Sequence, residues 1–256
     1  MTLIGLLLAV VMGLALGLLG GGGSVLAVPI LVYALGFGAK EAVAASLAVV
    51  GLTSLFGAAE HWRTGHVRLR VALVFGPIAA VGAYLGAHLA GLLSGATQLS
   101  LFAVVMLVAA FFMFRNGGPV KDGEEPRSAD SVGRLVLRFA LPGTGVGILT
   151  GLVGVGGGFL VVPALVLLGG IPMEASVGTS LLVIAMNSLA GFAGYLGKAE
   201  IPWGLMSLFA ALAVAGSFAG AYLARFVPES ALKKGFAIFL AAMAVFILYE
   251  NGSGLL

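Results

Sequence analysis

Two clusters of small residues in this chain have the make-up of a ligand-binding backbone. Gly20, Gly21, Gly22, Gly23 and Ser24 interrupt one apolar stretch, and Gly154, Gly156, Gly157 and Gly158 interrupt another. A helix that begins inside a bilayer points unpaired N–H groups and the positive end of its dipole into the cavity it faces, which suits an anion. Two such ends brought together would form a site near the membrane midplane. Glycine also allows close helix packing, and one cluster alone would leave that explanation equally good. Duplication favours a site, because each cluster is followed by proline at the matching position, Pro29 and Pro163. Neither cluster has the lysine or the strand context of a nucleotide-binding loop.

The segment after each cluster adds neutral polar groups. Ser46, Thr53 and Ser54 are matched by Ser180, Asn187 and Ser188, with Thr179 adjacent. Hydroxyls and an amide can hydrogen-bond sulfonate or carboxylate oxygens without placing Lys or Arg in hydrocarbon. Ser and Thr equally bond their own helix backbone or a neighbouring helix. The candidate substrate contacts are therefore Gly20, Gly22, Gly23, Ser24, Ser46, Ser54, Gly154, Gly156, Gly157, Gly158, Thr179, Ser180, Asn187 and Ser188. His88, the only histidine within a long apolar segment, could titrate near neutral pH and couple protons to transport; packing at a helix surface is the alternative. His61 and His66 flank Trp62 beside a basic loop, which reads as a membrane interface rather than a metal cluster. With no cysteine, no clustered His/Asp/Glu site and no phosphate loop, the expectation is no catalytic residue, no metal and no cofactor.

Membrane helices must carry these residues. The chain is 61% hydrophobic and 9% charged, with a mean hydropathy of +1.16, where soluble domains carry about 25% charge. The net charge of +3 does not signal nucleic acid, since the basic residues are scattered between apolar segments. The N-terminal stretch lacks the positive region of a cleaved signal peptide and is expected to be retained. Apolar segments run over 2–19, 24–36, 42–59, 69–92 and 98–114, then 138–153, 158–170, 175–196, 202–224 and 234–249. The last three in each half are long enough, or nearly so, to cross about 30 Å of hydrocarbon. The stretch 2–36 would extend roughly 52 Å as one straight helix, while two full crossings and a turn need about 40 residues. Two part-helices meeting inside the membrane are expected there, with protein or a cavity covering the freed backbone groups. The stretch 138–170 repeats the pattern.

The halves share one register. Gly17 falls on Gly151, 134 positions later, and the same offset places Ser54 on Ser188, Gly57 on Gly191, Gly82 on Gly216, Gly86 on Gly220 and Phe102 on Phe236. If each broken stretch enters and leaves on one side, eleven of the 13 basic residues lie inside, Lys40 and Lys198 being the exceptions. The basic loop then moves from before the second full span (Arg63 to Arg70) to after the corresponding span in the second half (Arg225 to Lys234), as inversion requires. The expected fold is an all-α polytopic membrane protein of two inverted repeats, each a Gly-broken helical hairpin plus three transmembrane helices. Residues 1–115 form the first repeat, 116–137 a cytoplasmic linker and 138–256 the second repeat, with both termini outside.

The same residues resemble the TauE/SafE family of sulfite exporters, membrane permeases of the DUF81 group. The family's GxxGxGGG-like segment, with an apolar run and proline after it, is matched by Gly17-Leu18-Leu19-Gly20-Gly21-Gly22-Gly23-Ser24 up to Pro29. It is matched more cleanly by Gly151-Leu152-Val153-Gly154-Val155-Gly156-Gly157-Gly158 up to Pro163. The small-residue segments Ala44-Ala45-Ser46-Leu47 and Val177-Gly178-Thr179-Ser180 are similar to the family's as well, and the likeness covers essentially the whole chain. The resemblance implies outward transport of sulfite, sulfoacetate or related organosulfur and carboxylate anions, driven by protons or the membrane potential. The setting would be the cytoplasmic membrane of a bacterium or archaeon. A small anion and the lipid bilayer are the expected partners, nucleic acid is not, and protons and a second copy of the chain stay open. An anion channel, and a membrane enzyme or assembly protein, are the alternatives.

Overall fold

A computed structural model describes residues 2–90, 95–115, 132–153, 158–193 and 202–252, and all elements among them are helical. Helix α1 (Thr2–Leu19) leads into a 3-10 segment (Gly20–Leu26), a single turn α2 (Ala27–Pro29) and a π turn (Ile30–Ala34). Helices α3 (Ala39–Arg63), α4 (Leu69–Ala90) and α5 (Gly95–Arg115) complete the first half. In the second half α6 (Val132–Val153) precedes α7 (Gly158–Pro163) and a π turn (Ala164–Leu168), then α8 (Met173–Ala193), α9 (Trp203–Ala224) and α10 (Glu229–Gly252). Residues 132–137, expected in the connection between halves, are thus already helical, and 116–131 lie outside the described residues.

The 134-residue offset recurs in these boundaries. It carries the π turn at Ile30 onto the one at Ala164, the start of α3 at Ala39 onto that of α8 at Met173, and Leu69 onto Trp203. Local hydrogen bonding repeats too. Directly after Pro29 and Pro163, which lack an N–H to donate, the amides of Leu35 and Gly169 donate to the carbonyls of Ile30 and Ala164 at 3.2 and 2.9 Å. Gly36 and Gly170, with φ of 74° and 62°, then stop each arm in a conformation that side chains disfavour.

Gly20, with φ of 71°, turns the first broken stretch back on itself. Gly5 lies against Leu35 and Gly23 against Leu16, so the chain after Gly20 runs back along α1. By length and apolarity alone Leu3–Val32 would count as one membrane span of 30 residues; the turn at Gly20 makes it a hairpin. Among the described residues four other helical stretches are long and apolar enough to cross a membrane: Glu41–Arg63, Leu69–Gly86, Trp203–Ala224 and Glu229–Tyr249. The apolar runs Ala103–Arg115 in α5 and Met173–Leu189 in α8 are shorter among the described residues, although both helices are 21 residues long. Large apolar side chains such as Leu7, Phe111, Leu141 and Phe246 point outward, as lipid contact requires.

Glycine sets which helices touch. A side-chain carbon at Gly13 would strike the carbonyl of Ala213, and one at Gly17 that of Ser217, while Gly216 and Gly220 face the carbonyls of Val10 and Leu14. Each pair is four residues apart, so α1 and α9 approach backbone to backbone over successive turns. Residue numbers rise together along this contact, which makes the two helices parallel. Helices α4 and α6 pack the same way, Gly143 lying against Phe75 and Ile78 and Gly147 against Ala79 and Ala83, so that their numbers too rise together. In contrast α3 and α8 cross with opposed numbering, Gly51 meeting Leu189 and Gly57 meeting Leu181. Phe75 of α4 and Phe139 of α6, both fully buried, add an edge-to-face ring pair with centroids 5.9 Å apart.

Candidate functional site

The two glycine breaks meet inside the protein. Gly21 backs onto the carbonyl of Gly158, and a side-chain carbon at Gly158 would lie 2.8 Å from both Ser24 Oγ and Ile184 Cδ1. The junction therefore joins the start of the first returning arm to the start of α7. Ser24 Oγ donates to the Gly21 carbonyl at 2.6 Å. Gly20 sits under Ser180, a side-chain carbon there falling 2.7 Å from the hydroxyl; Ser180 Oγ donates to the Val177 carbonyl at 2.8 Å. Gly20, Ser24, Gly158 and Ser180 thus form one group.

A second group lies where α3 and α8 cross. Ser54 and Ser188 are buried there and Asn187 is half-buried, all between the Gly51–Leu189 and Gly57–Leu181 contacts. Four other candidates fall elsewhere. Gly22 makes room for the rings of Phe236 and Phe239, each 3.2 Å from a would-be side-chain carbon, and Gly23 for α1 at Leu16, so both serve packing. Ser46 Oγ donates to the Val43 carbonyl of its own helix at 2.8 Å. Thr179 Oγ1 accepts the Arg68 N–H at 2.9 Å, tying α8 to the loop before α4. Gly154, Gly156 and Gly157 lie outside the described residues, as does the His88 side chain on α4.

Several polar residues near the site region are not among the sequence candidates for substrate contact, the sequence placing His61 and His66 at the membrane interface. Ser217 of α9 is fully buried, its hydroxyl 2.6 Å from where a side-chain carbon at Gly57 would be. The repeat offers no signal for it, since the 134-residue offset pairs it with Ala83. His61 is buried with Nε2 3.0 Å from the Gly17 carbonyl, so an Nε2–H tautomer donates there. Around it, Glu60 of α3 pairs with Arg225 of α9, whose guanidinium lies 5.5 Å from the Tyr222 ring centre. His66 Nε2 is 3.3 Å from Glu174 Oε2 of α8. Lys233 is buried with Nζ 3.1 Å from Glu229 Oε1, and that oxygen also accepts the Met173 N–H at 3.0 Å. These contacts join α3, α8, α9 and α10 at the end of the bundle that carries the Arg63 to Arg70 loop.

The candidate groups at the junction and at the α3–α8 crossing are main-chain atoms and neutral side chains. The ion pairs named above lie at the end of the bundle with the Arg63 to Arg70 loop. The family model described as sulfite exporter TauE/SafE matches residues 5–247. A probable membrane transporter protein of Xylella fastidiosa strain 9a5c is 31% identical over 250 residues, covering 95% of this chain and 93% of the relative. The probable membrane transporter protein YdhB of Bacillus subtilis is 27% identical, covering 92% and 94%. An archaeal relative of the same description, from Methanocaldococcus jannaschii, is 28% identical, covering 74% and 72%. No solved structure matches the chain. The names of the family and of these relatives indicate a membrane transporter rather than an enzyme.

Proposed function

We propose, from the premise that this chain belongs to the sulfite exporter TauE/SafE family, that it is a secondary transporter exporting a small oxyanion across a cytoplasmic membrane. The substrate class is sulfite, sulfoacetate or a related organosulfur or carboxylate anion. One observation carries this reading: the glycine breaks of both halves abut at Gly21 and Gly158. A transporter needs such a junction, because main-chain donors there can meet an anion in a region without fixed cations.

Helix directions support inverted halves. The α3–α4 connection reverses the chain, and Gly57 and Glu60 of α3 face Ser217 and Arg225, so that α3 and α9 run parallel. Helix α3 opposes α8, and α1 and α6 run parallel to α9 and α4 respectively. Helices α1, α3 and α4 then oppose their counterparts α6, α8 and α9, as a two-fold axis in the membrane plane would give. The distribution of basic residues favours the linker side as cytoplasmic. Alternating access would follow from rocking one half against the other around the junction.

A thermal-shift screen of the purified protein against sulfite, sulfoacetate, thiosulfate and acetate, with chloride as reference, tests the substrate class. Saturating ligand stabilises a binding-competent fold by about 2.7 kcal/mol at a hundred times its Kd. An organosulfur or carboxylate anion should raise the melting temperature. An identical temperature in all of them would contradict the reading.

A further inference from the structure

Most buried hydroxyls in this membrane bundle are satisfied. Ser46, Ser176 and Ser180 donate to the carbonyls of Val43, Ile171 and Val177, and Thr179 accepts the Arg68 N–H. Three are not: Thr53 Oγ1, Ser54 Oγ and Ser217 Oγ are fully buried with no hydrogen-bond partner among the described residues. They sit on one seam. Ser217 of α9 lies over Gly57 of α3, and Thr53 and Ser54 stand four and three residues before Gly57, one turn away on the same helix. A polar group in hydrocarbon with no partner is costly, since no water competes to satisfy it.

We propose that Thr53, Ser54 and Ser217 form a substrate subsite on the α3–α9 seam, their hydroxyls donating to the oxygens of a sulfonate or carboxylate headgroup. The inference rests on the transporter reading above and adds which side of the bundle holds the anion. The seam has no equal in the other half. The 134-residue offset puts Asn187 opposite Thr53, Ser188 opposite Ser54 and Ala83 opposite Ser217, so the α8–α4 seam lacks the third hydroxyl. Charge supports an anion as occupant. Glu60 and Arg225 pair at the end of this seam, and Arg63, 3.8 Å from Glu60, adds a second cation there, raising the local anion concentration. Gly57 lets the Ser217 hydroxyl reach α3, because a methyl group there would press on it.

The test compares full-length wild type with Thr53→Val, which keeps the side-chain shape, and with Ser217→Ala. Melting temperature is read without ligand and with sulfoacetate, and affinity by titration. In each variant the ligand-free protein should melt at the same or a higher temperature, because a hydroxyl without a partner is gone. Sulfoacetate should bind about ten-fold or more weakly, the scale of one lost hydrogen bond to a charged group. Lower ligand-free melting with unchanged sulfoacetate affinity would overturn the subsite, showing hydroxyls that serve packing or a structural water. A wild-type shift that follows sodium against choline, whatever the anion, would overturn it in favour of a cation. If wild type binds no anion at all, the transporter reading itself fails. If wild type binds and both variants bind equally well, only the subsite fails.

Discussion

At Gly21 a single added methyl decides between two states of the molecule, because it would drive into the backbone carbonyl of Gly158 rather than against a side chain that can rotate. Gly21→Leu should therefore remove anion binding and cost at least about 1–3 kcal/mol of stability, the usual penalty of overpacking. Chemical denaturation and ligand titration together check this, and a stable variant with wild-type affinity would show that the junction does not line the path. Asn187→Leu separates binding from folding better, since Asn187 is half-buried at the helix crossing. It should weaken anion binding by about 1–3 kcal/mol through an unpaired anion oxygen, with little change in melting temperature. The glycine breaks and the polar residues of α3 and α8 were legible because glycine, proline and serine punctuate an otherwise uniform apolar text at a fixed offset. Ser217 and His61 were not legible. Ser217 has no partner in the repeat, and His61 matters only because α1 brings the Gly17 carbonyl to its ring. Gly22 and Gly23 looked like site residues for the opposite reason, since sequence cannot tell a glycine that faces a cavity from one that admits a phenyl ring.

Between elements, glycine acts according to what lies opposite it. Gly17 meets the Ser217 carbonyl across the α1–α9 contact, whereas Gly145 in α6 and Gly235 in α10 have nothing within 4 Å. Gly17→Leu should destabilise by at least about 1–3 kcal/mol, while Gly145→Ala and Gly235→Ala should each stabilise by up to about 1 kcal/mol through helix propensity. Equal effects at all three positions would contradict the packing described. Period and apolarity foretold helices and their approximate ends. They could not foretell that α1 packs on α9 of the other half as well as on its own returning arm, since partner choice depends on surface shape. The Glu60–Arg225 pair makes a further element-scale prediction. Glu60→Gln removes one charge from the tie between α3 and α9, so a cysteine introduced at Ala221, which lines the small pocket beside His61 and Arg225, should be labelled faster. The reagent must be membrane-impermeant and supplied from the Arg63 to Arg70 side. Unchanged labelling would mean that this pair does not hold the seam shut.

For the whole molecule, the proposed inversion of the halves predicts that the linker and the α9–α10 connection face the same side of the membrane. The natural absence of cysteine makes this directly measurable: single cysteines at Gly118 and Ser230 should both react from the cytoplasmic side, and reaction of Ser230→Cys only from outside would require parallel halves. That experiment fixes orientation, not activity. The central claim, a carrier that moves a small oxyanion past the junction of two helix breaks, is tested most directly by purified protein in liposomes preloaded with sulfoacetate. Labelled sulfoacetate outside should accumulate transiently by exchange, saturate with concentration, and lose this behaviour in Gly21→Leu. Flux that never saturates, with conductance beyond carrier turnover, or no exchange of any organosulfur or carboxylate anion by well-folded wild type, would contradict it.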